Sequence, residues 1–184
     1  MATEPARFLV VAPYLPRPGS LHAGGRATAA WLSQLATRGR VELVAMGTAA
    51  DAQAAAALWP ALEEVEVVRY RSGWFARMAG ALSDLRRGGG ARGVHARLRA
   101  AVRERLHARR YSAVLVEHEE TALWLDLEAG PAPLWLDCHD VISGHFEHDP
   151  AANPVPERLP TVADARAAEE RLLRRYDQIG RAHV

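Results

Sequence analysis

Short apolar runs bounded by turn residues alternate along this chain with longer segments in which apolar residues return every three to four positions. The first run, Phe8-Leu9-Val10-Val11-Ala12, leads into a Pro/Gly-rich loop that closes on Gly24-Gly25. A helix is expected from about Gly25 to Thr37, stopped by Arg38-Gly39, and Val41-Glu42-Leu43-Val44-Ala45-Met46 follows as a second strand. Strand, helix and strand in that order make a βαβ unit with a right-handed crossover, which puts the first loop at the carboxyl edge of a parallel sheet, where such sheets take ligands.

The alternation continues. Asp51 to Trp59 reads as an Ala-rich helix ended by Pro60, Val65 to Tyr70 as a strand, and Trp74 to Leu85 as a helix broken at Gly88-Gly89-Gly90. Val94, Leu98, Ala101, Val102 and Leu106 share one face of a further helix. Tyr111 to Val116 is a strand ending at Glu117-His118, Thr121 to Leu127 a short helix, and Pro133 to Cys138 a strand ending at His139-Asp140. Prolines 150, 154, 156 and 160 with Gly144 predict an irregular loop from Ser143 to Pro160. Thr161 to Tyr176 resumes as a helix with Val162, Ala165, Leu172, Leu173 and Tyr176 inward. The pattern predicts an α/β fold, a Rossmann-like parallel sheet flanked by helices.

A helix that closes such a fold hands over to another strand, and only Asp177-Gln178-Ile179 begins one. The last six residues, Ile179-Gly180-Arg181-Ala182-His183-Val184, are what one reading frame of a widely used sequencing-library adapter encodes. The expectation is therefore one domain over residues 1–178 and a non-native tail over 179–184 at a truncation.

With 184 residues, 49% of them hydrophobic, the chain can bury the core of one ordinary α/β domain. Its net charge of +1 argues against a general nucleic-acid binder. All 23 basic residues are arginine, a bias that fits a GC-rich bacterial genome. The lone Cys138 cannot form an intrachain disulfide, which fits a reducing cytoplasm. Met1 to Arg7 lacks a basic leader, and the run after it is too short for a signal core or a membrane span. Arg86 to Arg110 carries nine arginines against Glu104 alone, so this helix either docks peripherally on anionic lipid at the inner membrane face or presents a solvated face. Its modest Val/Leu/Ala stripe favours the solvated face.

Several residue groups carry candidate chemistry. Gly24 and Gly25 at a helix start after the first strand would let a phosphate approach free N–H groups, with Arg26 adding charge. Glycines at such junctions also serve simple turns. His118 and His139 both end predicted strands at the ligand edge, and a neutral imidazole there can exchange a proton or hydrogen-bond a sugar hydroxyl. Asp140 could orient His139, bind a hydroxyl, or cap the next turn. His139, Asp140, His145, His148 and Asp149 lie close in sequence, but no helix aligns them and no cysteine pair joins them, so no metal is expected. Gly88 to Gly93 matches the dinucleotide fingerprint by letter, yet it follows a helix and reads as a hinge. Cys138, His139 and Asp140 are adjacent, so they cannot converge as a nucleophilic triad.

The Ala12-Pro13 strand end, the loop closing on Gly24-Gly25 before Trp31-Leu32-Ser33-Gln34-Leu35, the strand ending in His118, Leu136-Asp137-Cys138-His139-Asp140-Val141, and the late helix Glu169 to Asp177 together resemble the amino-terminal domain of a family 4 retaining glycosyltransferase of the GT-B type. The resemblance implies one of two Rossmann-like domains facing across a cleft. The first holds most of the acceptor. The second, absent from this sequence, grips the nucleotide with a paired-glutamate motif. It further implies a nucleotide-sugar donor, a sugar or lipid-linked acceptor, no metal or other cofactor, and no turnover from this domain by itself. Gly24 and Gly25 would then face the donor diphosphate, His118, Asp140 and Arg26 would line the sugar pocket, and His139 would serve as the catalytic hydrogen-bond partner. The residues leave two other readings open: a non-catalytic nucleotide- or phosphate-binding module, and a sugar epimerase on the same two-domain plan.

Overall fold

The structure, a computed structural model, describes residues 5–21, 23–70, 90–128, 130–139, 141–148 and 159–181. Strands β1 (Ala6–Ala12), β2 (Gly39–Gly47), β3 (Glu64–Arg69), β4 (Ala113–Glu117), β5 (Leu134–Cys138) and β6 (Gln178–Arg181) form one sheet in the order β3-β2-β1-β4-β5-β6. Every pairing is parallel. The helices are α1 (Ala23–Ala36), α2 (Ala49–Leu58), α3 (Gly90–Ala108), α4 (Glu119–Leu125), α5 (Ile142–His148) and α6 (Val162–Arg175). This is the doubly wound Rossmann-like architecture that the alternating pattern predicts.

Alternate residues of the buried strands feed two cores. Leu9, Val11, Val44 and Val116 pack with Leu98, Val102, Leu125 and Leu172 of α3, α4 and α6 on one face. Val10, Ala12, Leu43 and Ala45 pack with Leu32 and Leu35 of α1 and Ala55 of α2 on the other. Strands covered on both faces carry nearly unbroken apolar runs, which is why they are so visible in the sequence. The α2 and α6 starts are fixed by capping boxes, Thr48 with Asp51 and Thr161 with Asp164.

Three expectations need correction or placement. Residues 142–148, expected as irregular, are helical, because Ile142 and Phe146 are one turn apart and both buried. Phe146 packs with Leu159, Ala165 and Ala168, and the Ser143 amide donates to Glu169 Oε1 at 3.0 Å. Leu173, expected inward, is 41% exposed, while Leu172 beside it is buried. The helix expected over residues 74–85 and the glycines 88 and 89 lie outside the described residues, and Gly90 begins α3. At the far end, Gln178 to Arg181 pair in register with Trp135 to Cys138.

Several arginines of the basic helix α3 bond to neighbouring elements, and Arg105 is buried. Arg97 Nη2 donates to the Arg69 carbonyl at 2.7 Å and Arg99 Nε to the Trp124 carbonyl at 3.0 Å. Arg105 pairs with Glu64 and Glu66 of β3. At the centre of this network lies Glu42, a fully buried carboxylate on β2. It meets Arg109 Nη1 at 2.6 Å, Arg7 Nη1 at 2.7 Å and Arg105 Nε at 3.5 Å, and accepts from Tyr111 OH at 2.9 Å. Burial pushes this carboxyl upward, but the hydrogen bonds from Arg109, Arg7 and Tyr111 outweigh it and hold it below the ordinary glutamate range. Among the described residues, no helix is long and apolar enough to cross a membrane.

Candidate functional site

The sheet order reverses between β1 and β4, and beyond the carboxyl ends of the strands at this point sheets of this kind take their ligands. Four segments meet at it: the loop after β1, the first turn of α1, and the ends of β4 and β5. The loop after β1 is tied down from outside. Trp59 Nε1 donates to the Pro16 carbonyl at 2.8 Å, and Arg17 pairs with Asp51 at 2.6 Å. This anchoring presents Tyr14 to the crevice, where its hydroxyl lies 3.2 Å from His118 Nε2.

The two histidines 21 residues apart in sequence stack on each other, with ring centroids 4.2 Å apart and planes inclined by 22°. Gly24 sits against them. A Cβ on Gly24 would lie 3.0 Å from Tyr14 OH and 3.5 Å from both Cε1 and Nδ1 of His139, so a larger residue there would press the tyrosine hydroxyl outward. Gly25 lines a shallow cavity of about 250 Å³ with Tyr14, Leu15, Arg17 and Ser20. The structure thus brings Gly24, Gly25, His118 and His139 together. Arg26 is exposed, and its guanidinium donates to the carbonyls of Leu21 at 2.8 Å and Ser20 at 3.3 Å. Asp140 lies outside the described residues.

His118 holds an unusual backbone, φ 67° and ψ 141°, in a region that residues with a Cβ rarely adopt. The conformation is imposed from both sides: its N–H donates to the Asp137 carbonyl at 3.0 Å, and its own carbonyl accepts from the Ala122 amide at 3.2 Å as α4 begins. Strain of this kind persists where the surrounding structure demands a particular side-chain placement.

Beneath the histidines lies an acidic floor that the sequence reading did not single out. His139 Nε2 is 3.3 Å from Glu117 Oε2 and 3.6 Å from Asp137 Oδ2. The Thr28 hydroxyl lies 2.9 Å from the Gly24 carbonyl and 3.0 Å from Glu117 Oε2, and so shares its proton between them. The His139 amide donates to Glu119 Oε2 at 3.3 Å. Hydrogen bonding to Asp137 and then to Glu117 overcomes burial and pushes the His139 imidazole up to about 10. The two acids thus favour the protonated form of the ring. Burial is the main cause that raises both Glu117 and Glu119 above the ordinary carboxyl range. Burial likewise raises the Tyr14 phenol and, first among several causes, the Cys138 thiol, leaving that thiol protonated and unsuited to nucleophilic attack. A signal for the floor was present. Glu117 ends β4 and Asp137 is the next-to-last residue of β5, in strands that are otherwise apolar and largely buried, where an acid has little solvent to face.

The class of this molecule is a Rossmann-like α/β domain built on a six-stranded parallel sheet. No protein-family model matches the chain. No curated protein matches it either. Among solved structures, one described as the glycotransferase of kitacinnamycin is similar over 91% of this chain, at 20% identity and a TM-score of 0.39. The chain spans 39% of the length of that protein.

Proposed function

We propose that this chain is the acceptor-side domain of a retaining, hexosyl-type glycosyltransferase, which moves a sugar from a nucleotide sugar to an acceptor together with a second, nucleotide-gripping domain. By itself the domain lacks turnover. The observation that supports this most is the meeting of Tyr14, Gly24, His118 and His139 at the switch point of the sheet. In this reading the first turn of α1 at Gly24 and Gly25 faces the donor diphosphate, with free N–H groups and the positive end of the helix toward the phosphates. His118, Asp140 and Arg26 belong to the sugar pocket. His139 turns its Nδ1 edge toward Gly24 while Nε2 is held by Glu117 and Asp137, so in this reading Nδ1–H donates a hydrogen bond as charge builds on the departing phosphate. The chain then contributes positioning and charge stabilisation, and no nucleophile.

The test uses the parent gene product that carries this domain with its nucleotide-gripping partner, assayed for transfer from labelled nucleotide sugars. His139→Ala should lower kcat by about 10²-fold, the usual loss when one preorganised donor is removed. Unchanged transfer in a folded His139→Ala variant would remove His139 from the reaction. A parent without a second domain, or one that transfers sugar to neither acceptor nor water, would overturn the class itself and favour a phosphate-binding module.

A further inference from the structure

We infer that Glu117 is a positioning residue: through one oxygen, Oε2, it holds the His139 ring and the start of α1 in a single register, with Thr28 as the link. The inference rests on the glycosyl-transfer reading, in which the α1 start and His139 face the same reacting group. Three observations carry it. The first is convergence on one atom. Glu117 Oε2 accepts from the Thr28 hydroxyl of α1 at 3.0 Å and lies 3.3 Å from His139 Nε2 at the end of β5. The two partners stand 89 and 22 residues from Glu117 along the chain, so three separate elements meet on a single acceptor. Asp137 Oδ2 lies farther from the same nitrogen, at 3.6 Å.

The second is that Thr28 has no need of this bond for itself. A threonine inside a helix can satisfy its hydroxyl on the carbonyl four residues back, and Thr28 does so on Gly24 at 2.9 Å. The same hydroxyl nevertheless reaches across to β4. The contacts then close a circuit. From the Gly24 carbonyl they run through Thr28 and Glu117 to His139 Nε2, and the opposite edge of that ring returns to Gly24, where a Cβ would lie 3.5 Å from Nδ1. With Nε2 held and Nδ1 turned to the helix start, the ring has one aim.

The third is cost. Glu117 is fully buried at the end of an apolar strand, and among the described residues its Oε1 has no hydrogen-bond partner. An apolar residue of similar volume would escape that penalty. Local rules broken in this way belong to functional sites, where placement outweighs stability.

The experiment takes the full chain with ¹⁵N-labelled histidine and reads the His139 imidazole by NMR, its signals assigned by their loss in His139→Gln. Thr28→Val keeps the side-chain shape and removes one of the two donors to Oε2. The Thr28 hydrogen bond holds the Glu117 carboxyl down, so without it Oε2 is the more basic acceptor. The bond from His139 should strengthen, and its Nε2–H proton should move downfield. Thr28→Ser should restore the wild-type position, and in a Glu117→Met background Thr28→Val should leave His139 unmoved. Circular dichroism checks the fold of each variant, and if Glu117→Met does not fold, the valine and serine pair decides. An unmoved His139 in folded Thr28→Val, or the same shift in the Glu117→Met background, would overturn the role. In the parent enzyme, Thr28→Val should lower kcat about tenfold, within the roughly 10²-fold that a misplacement of about 1 Å costs, and Thr28→Ser should recover it. The imidazole shifts decide the role whether or not the parent transfers sugar. A parent without transfer therefore removes the reading alone, and absent coupling beside His139-dependent transfer removes the role alone.

Discussion

Comparing glycine with alanine at position 118 tests whether the crevice is built on a strained backbone. Both substitutions remove the imidazole, and with it the 3.2 Å contact to Tyr14 and the stack on His139 at 4.2 Å. Those losses cancel between the two variants. What differs is the backbone at φ 67°, ψ 141°, which alanine must still endure and glycine adopts freely. Such a conformation costs about 1–3 kcal/mol for a residue with a Cβ. Against this, glycine costs about 0.5–1 kcal/mol through the greater freedom of the unfolded chain. The glycine variant should therefore be the more stable by about 0.5–2 kcal/mol, which inverts the order at ordinary positions. For a chain of this size that difference moves the melting temperature by about 1–8 °C. Urea unfolding followed by circular dichroism measures it, with equal m-values required for the comparison. If the alanine variant equals or exceeds the glycine variant, the strained geometry at His118 is wrong, and with it the account of how the ring reaches His139.

Two further substitutions probe the frame. Glu42→Gln removes the buried charge shared by Arg7, Arg105 and Arg109 and should cost about 3–5 kcal/mol in urea unfolding. Because the folded-state pKa of Glu42 is depressed, its contribution is present above the unfolded value near 4.5 and fades as pH falls through the lower folded value. Wild-type stability should therefore drop more steeply below about pH 4.5 than that of Glu42→Gln, and parallel acid limbs would refute the pairing. Gly39→Ala would place a Cβ 2.1 Å from the Ala6 carbonyl oxygen of the neighbouring strand, so β1 and β2 must part and stability should fall by about 2–3 kcal/mol. A neutral result in the same assay would show that the two strands do not approach so closely at that end.

The sheet was legible because its strands are buried on both faces and interrupted by glycine and proline. The β1-α1-β2 unit is the clearest case: α1 begins two residues earlier than expected, and β2 extends outward through Gly39, Arg40 and Gly47, where backbone pairing and not side-chain polarity sets the limits. Helix α5 was hidden by the proline-rich stretch after it, since the prolines weighted the whole of 143–160 toward a loop although none precedes Pro150. The convergence of residues 24, 118 and 139 could be inferred from strand order. Acids at the ends of apolar strands hint at a buried polar site, but that Glu117 and Asp137 form one floor could not be read, because it depends on which strands are neighbours and which way each side chain points. The same holds for α3. Its arginines look like a free basic face until Glu42, Glu64 and Glu66, at least 39 residues away along the chain, are brought beneath Arg105.

The indole of Trp59 and the carboxylate of Asp51 grip the segment after β1 from helix α2, well away from the crevice itself. A rim held in this way spends its conformational entropy during folding, so on the proposed reading an incoming molecule would meet a shape already set and be discriminated by fit. Loosening Trp59 would then slacken the crevice from a distance, and would be felt as poorer discrimination between rival molecules before it was felt as a loss of fold.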